Sequence, residues 1–123
     1  MTDEKIDLKT LKACGFIKQK ESGFFCVRLR MIGGRMESEG LAALATIAKK
    51  YGRGHTHLTT RQGVEIPYIR LEDADELRAD LKAGGLEIGV GGARVRTIAA
   101  CQGAICAHGL IDPQALAVKI DRL

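Results

Sequence analysis

Tryptophan is absent from this chain, proline occurs twice, and aromatic side chains make up 4% of its 123 residues. A core without those large rings has to be assembled from Ile, Leu, Val and Ala. Hydrophobic residues supply 46% of the sequence, enough for one compact domain and too few for two. With 15 glycines beside 2 prolines, the composition points to tight turns and close backbone approaches and away from disorder. No apolar run approaches the ~20 residues that a membrane-spanning helix needs. The opening residues, MTDEKIDLKTLKACG, carry charge where a secretory signal would carry an apolar stretch. There is also no run of five or more basic residues. The net charge of +4 therefore describes a solvated surface with a mild cationic bias. An anion site would need individually placed arginines. Together these absences predict a cytoplasmic protein that engages neither membrane nor nucleic acid. In that compartment the four cysteines read as thiols or metal ligands rather than a disulfide framework.

Residues 1–22 are polar and mixed, with Ile6, Leu8, Leu11 and Phe16-Ile17 as the apolar points, an arm or a short helical lead-in. In FFCVRLRMI, residues 24–32, Phe25, Val27, Leu29 and Met31 alternate with Phe24, Cys26, Arg28, Arg30 and Ile32. That period of two predicts a strand with one apolar and one mixed face, ended by Gly33-Gly34. Ser38 as N-cap, or Glu37 to Glu39 as an acidic first turn, opens a helix in which Leu41, Leu44, Ala45, Ile47 and Ala48 recur at helical spacing up to Tyr51. Gly52 and Gly54 stop it. Residues 55–60 form a second strand, Arg61-Gln62-Gly63 a turn, and VEIPYIRL, 64–71, a third strand in which Pro67 marks an edge or bulge position. A second helix covers 72–85, with an acidic start and a Gly-Gly stop. A fourth strand covers 92–100. A third helix covers 112–123, with Asp112 as N-cap and Pro113 at its first position. From residue 24 the order is strand, helix, strand, strand, helix, strand. This predicts an α+β, ferredoxin-like split βαβ sandwich, an antiparallel sheet with helices on one face. The fold alone does not name a function.

Three stretches carry candidate chemistry. Arg28 and Arg30, two residues apart on a strand, share a face. They read as a solvated pair or, beside Gly33-Gly34, as the edge of a site where backbone approaches a large planar ligand. Thr59-Thr60-Arg61-Gln62-Gly63 gathers hydroxyl, guanidinium and amide groups at a strand end. It reads equally as a polar hairpin turn or as a clamp for carboxylates or a small oxyanion. His55 and His57 on the same strand have no evident third ligand and read as a surface or partner-facing pair. In ACQGAICAHGLIDP, residues 100–113, Cys101 and Cys106 are separated by small residues, which suits soft-metal ligation with room for a cluster. They supply only two ligands. Cys14 and Cys26 exist, but Cys26 lies within a strand and reads as core packing. A zinc site with His108 is the alternative.

Taken in order, these residues resemble the sirohaem-containing nitrite and sulfite reductase family over nearly the whole chain from about residue 23. Gly23 to Gly34 is similar to that family's opening arginine-rich strand with its Gly-Gly end. Leu58 to Gly63 is similar to its Thr-x-Arg-Gln stretch. Val95 to Ala117 is similar to the junction of the ferredoxin-like half domain with the cluster region, where Cys-x-Gly precedes a second cysteine and an Ala-Leu-Ala helix.

The resemblance implies a six-electron reduction of sulfite or nitrite with sirohaem and a 4Fe-4S cluster as cofactors. Arg30 and Arg61 would act on the substrate oxyanion. Arg28, Arg30, Thr60, Arg61 and Gln62 would bind the cofactor, and Cys101 and Cys106 would be metal ligands. It implies an arm at 1–22, a ferredoxin-like half domain at 23–100 and the start of the sirohaem and cluster region at 101–123. Two features depart from the family pattern. Cys-x4-Cys is one residue shorter than the Cys-x5-Cys of many members, and no Cys-x3-Cys second pair precedes Leu123. The expectation is a fragment, a truncated paralogue or a subunit that needs the remainder of the reductase or a partner, and an electron donor. A non-catalytic tetrapyrrole- or anion-binding module, or a zinc-stabilised interaction module, is the alternative.

Overall fold

A computed structural model describes residues 7–91 and 96–123. Asp7 opens the described chain as a helix cap, its carboxylate accepting from the backbone N–H groups of Lys9 and Thr10. It starts α1 (Leu8–Ala13), which leads into β1 (Phe16–Lys18) and β2 (Phe25–Arg28). Then follow α2 (Ser38–Tyr51), β3 (His57–Leu58), β4 (Val64–Ile69), a short 3-10 turn at Leu71–Asp73, α3 (Ala74–Ala83) and α4 (Pro113–Asp121). The strands form one antiparallel sheet in the order β1-β2-β4-β3. With α2 and α3 covering one face, this is the predicted ferredoxin-like arrangement. Among the described residues no helix is long and apolar enough to cross a membrane.

The alternation seen in the sequence explains the layers. Phe25, Val27, Leu29 and Met31 are all buried. They meet Leu44, Ile47, Ala48 and Tyr51 of α2, and Leu77 and Leu81 of α3. Phe16, Val64, Ile66 and Ile69 complete the core from β1 and β4. The opposite sheet face carries Cys26, Arg28 and Glu65, which are only half-buried. α2 begins with Glu37 in the N-cap position, without a side-chain cap bond, and Glu39 in the first turn. The acidic-turn reading therefore describes this helix start, and Ser38 is already helical.

Three details differ from the sequence reading. The arm contributes a strand: β1 pairs with β2 as an edge hairpin, Phe16 opposite Val27 and Lys18 opposite Phe25. Pro67 lies in an interior strand, not at an edge, and the bulge reading holds. Val27 faces Ile66 but Phe25 faces Ile69, so Pro67 and Tyr68 together oppose one residue of β2, and Tyr68 takes φ +63°. β3 pairs only with Val64 and Glu65, so no ladder bond is asked of the proline nitrogen. Finally, residues 92–95 of the predicted fourth strand lie outside the described residues. Its remainder makes a single parallel bridge between Ile32 and Ile98. The chain beside Leu29 and Arg30 is instead residues 87–89: Arg30 N–H donates to Glu87 O at 2.9 Å and Gly89 N–H to Arg28 O at 2.7 Å.

Candidate functional site

The mixed face of β2 and of the extended run that follows it places Arg28 and Arg30 against carboxylates. Arg28 donates from Nε and Nη2 to Oε1 of Glu65, at 3.1 and 3.0 Å, because Glu65 stands directly opposite it in the ladder. The same carboxylate lies 3.5 Å from the Cys26 thiol. Burial first, and the Glu65 charge second, push that thiol up to about 12. Cys26 therefore faces a charged pair rather than the apolar core, which corrects its reading as core packing. Two residues further along the strand, Arg30 is more exposed. It forms ion pairs with Glu87, at 3.3 Å, and with Asp121 of α4.

Past Arg30 the chain turns at Gly33 and Gly34, both at positive φ, +63° and +69°. Only glycine enters that conformation without strain. Here the second candidate stretch arrives. Gly63 N–H donates to Thr59 Oγ1 at 3.0 Å, closing the turn after β3. That turn holds Gln62 at φ +59° and sets its side chain beside Gly34. Gln62 then pairs with both backbone groups of Ala100: Nε2 donates to the carbonyl at 3.0 Å, and Oε1 accepts from the N–H at 2.9 Å. Gly33 N–H donates to Ile98 O at 2.8 Å. The Arg30–Gly34 run, the Thr60–Gln62 turn and the Ala100-Cys101 segment are thus brought together. Thr60 and Arg61 stand exposed on this turn, and neither side chain has a partner among the described residues.

Cys101 and Cys106 are exposed free thiols lining one groove of about 590 Å³. Its walls are apolar, formed by Ile111, Leu116 and Ile120 among others. Consecutive turns shape the loop, with Cys106 N–H donating to Gly103 O at 3.1 Å and Gly109 N–H to Cys106 O at 3.0 Å. Gly103 is buried against the ring of Pro113, where a Cβ would collide, so the glycine between the two cysteines is set by the start of α4. His108 lines the same groove, yet among the described residues no three His, Cys, Asp or Glu side chains form a group able to hold a metal. The donor set fits part of a four-cysteine cluster: two soft thiols, small neighbours and an apolar wall. Cys14 is exposed at the end of α1. His55 stacks edge-on against Tyr68, and exposed His57 stands opposite Glu65.

The sequence reading missed Gln114, the second residue of α4. Its amide donates to Gly33 O at 2.9 Å and Cys101 O at 3.1 Å. Nothing local signals this reach. Glu65, also unremarked, was readable: it alternates with buried Val64 and Ile66 and so belongs to the polar face.

Comparison with known proteins adds four findings. The model of the nitrite/sulfite reductase ferredoxin-like half domain matches residues 17–84. The chain is 32% identical over 141 aligned residues to one subunit of the anaerobic sulfite reductase of Salmonella typhimurium, covering 96% of this chain and 40% of that protein. It is 33% identical over 106 residues to an uncharacterised protein of Methanocaldococcus jannaschii, covering 86% of this chain and 38% of that one. It thus spans about two fifths of the length of these relatives. Among solved structures, the NirA protein of Mycobacterium tuberculosis superposes with a TM-score of 0.85 at 23% identity, over 97% of this chain and 26% of that chain. That likeness shows the fold.

Proposed function

The chain belongs to the nitrite/sulfite reductase ferredoxin-like half-domain family, and from that premise we propose that it supplies one part of a site reducing sulfite or nitrite by six electrons. The observation that carries this reading is the convergence of three stretches far apart in sequence. Gly33 is bonded to Ile98 and Gln62 to Ala100, which sets Arg61, without a side-chain partner among the described residues, on the same assembly as a pair of exposed thiols.

Cys101 and Cys106 are two of the thiolate ligands of a 4Fe-4S cluster, the others lying outside this chain. When bound, the cluster and sirohaem supply the electrons and the metal-centred redox chemistry. The protein's share is electrostatic and steric. Arg61 and Thr60, without partners of their own among the described residues, present a guanidinium and a hydroxyl to a small oxyanion or a cofactor carboxylate. Arg30, half-exposed, exchanges Asp121 for a ligand carboxylate, and Arg28, held by Glu65, borders the site and reaches a cofactor carboxylate only by releasing that partner. Gln62 serves the site through the backbone of Ala100. The remainder of the reductase, or a partner subunit, covers the apolar wall beside the thiols and brings the electron donor. Such thiolate chemistry suits the reducing cytoplasm.

Anaerobic reconstitution of the intact reductase that contains this chain tests the reading, with metal content and visible spectrum as readouts. The expected result is iron, sulfide and sirohaem in the wild type and loss of the cluster in Cys101→Ser and Cys106→Ser. Uptake of zinc with neither iron nor sirohaem would overturn it in favour of a zinc-stabilised module.

A further inference from the structure

α4 is attached at both of its ends to the strand run that carries Arg30. At its C-terminus Asp121 pairs with Arg30. At its N-terminus Asp112 accepts from Ala115 N–H at 3.2 Å, which fixes the first turn, and Gln114 projects from that turn. The Gln114 amide faces three carbonyls: Gly33 at 2.9 Å, Cys101 at 3.1 Å and Ala100 at 3.4 Å. A primary amide has two N–H donors, so Gly33 and Cys101 are matched one to each and Ala100 shares. A Cβ at Gly33 would stand 2.6 Å from Gln114 Oε1 and displace the amide, and the φ of +63° strains any side chain there.

We propose that Gln114 is a positioning residue that sets the place of Cys101 relative to the Gly33-Gly34 turn. Gln62 grips Ala100 from one side through both its backbone groups, and Gln114 grips Cys101 from the other. Between them the two amides lock the backbone immediately before the Cys101 side chain. Cys101 itself is exposed, and among the described residues no side chain bonds to its sulfur. Its position is therefore set through the main chain. The same glutamine holds Gly33, so the thiol and the arginine-bearing run move as one body. The proposal deepens the reductase reading by naming what aligns its two halves. Its geometric core, the donation by Gln114, stands without any cluster.

Hydrogen exchange of the chain tests it, read as protection of the Gly33 and Ala100 amides against that of Val27 and Ile66 in the core. Gln114→Leu removes the donors, Gln114→Glu keeps the shape while removing them, and Gln114→Lys restores a donor. Leu and Glu are expected to lower protection at Gly33 and Ala100 about tenfold, with Val27 and Ile66 unchanged. Lys is expected to return most of the loss. Protection retained in Gln114→Glu would mean that shape rather than donation holds the segment, and would overturn the proposal. So would unchanged protection in Gln114→Leu, or a loss shared equally by the core. A failure of cluster assembly in the intact reductase alongside the expected exchange pattern would count against the reductase reading alone.

Discussion

Cys26 and Arg61 show how neighbours decide what a reactive residue can do. Cys26 shares a sheet face with Arg28, yet its thiol is half-buried beside Glu65 and is pushed up to about 12. The thiolate is the nucleophile, so at pH 8 Cys26 is held almost entirely in its unreactive thiol form. Alkylation of the folded chain with iodoacetamide, followed by peptide mass spectrometry, is expected to label exposed Cys14, Cys101 and Cys106 and to spare Cys26 until denaturant is added. Arg61 is the converse case, exposed and without a partner among the described residues. Arg61→Ala should therefore change unfolding free energy by no more than about 0.5 kcal/mol. In the intact reductase the same change should lower turnover of sulfite or nitrite by roughly 10²–10³, because it removes one charge that stabilises the anion. Wild-type turnover in that variant would remove Arg61 from the site. The alternation that put Arg28 and Arg30 on one face was legible in the sequence. Their partners were not, since Glu65, Glu87 and Asp121 lie 37, 57 and 91 residues away.

Among the elements, the two covering helices show which contributions are local and which are shared. α3 buries Leu77 completely against the sheet. Leu77→Ala leaves a cavity that a close-packed layer fills only in part, and is expected to cost about 2–5 kcal/mol in chemical denaturation. A second link joins α2 to α3 at the surface: the Asp80 carboxylate accepts from Lys50 at 2.8 Å and from the Tyr51 hydroxyl at 2.6 Å. Lys50 first, then Tyr51, hold this carboxyl below its ordinary value. A carboxyl lowered in the folded state stabilises the fold above its unfolded-state value, and that contribution is lost as pH falls through the folded-state value. The stability difference between wild type and Asp80→Asn is thus expected to be full well above pH 3.8 and to shrink as pH falls below it. A difference that stays constant across that range in thermal melts would show that Asp80 contributes no linkage. The existence of α2, α3 and α4 was legible because apolar spacing, acidic first turns, Pro113 and glycine stops act within a few residues, whereas α3 starts at Ala74 behind a 3-10 turn and α4 ends at Asp121, each two residues inside the expected bound. β1 was not, because three residues carry too little periodicity and its partner strand defines it.

On the scale of the whole molecule, exposed apolar surface is unevenly distributed. Of the nine large hydrophobic residues that stand exposed among the described residues, six lie between Ile105 and Leu123. Leu110 is 97% and Ile111 67% exposed, beside the two thiols. Leu110, Ile111, Leu116 and Ile120 line the groove that also holds the two thiols, and gathered apolar surface of this kind is what interaction faces use. Replacing Leu110 and Ile111 together by Asp is expected to leave the melting temperature of the chain nearly unchanged. It should weaken association with the remainder of the reductase more than tenfold, measurable by co-purification or titration calorimetry. Undiminished association would place the interface elsewhere. The alternating strand of the sheet, the helices with their acidic turns and glycine stops, and the three stretches of candidate chemistry could be read from the sequence alone. Each of those follows from interactions within a turn or a strand length. That carboxylates hold Arg28 and Arg30 while none among the described residues holds Arg61, and that Gln62 and Gln114 close on Ala100 and Cys101, is visible in three dimensions alone. Such pairings depend on which faces the sheet order and helix packing bring together, and hydrogen bonds across 38 or 81 residues of chain leave no periodic trace in it.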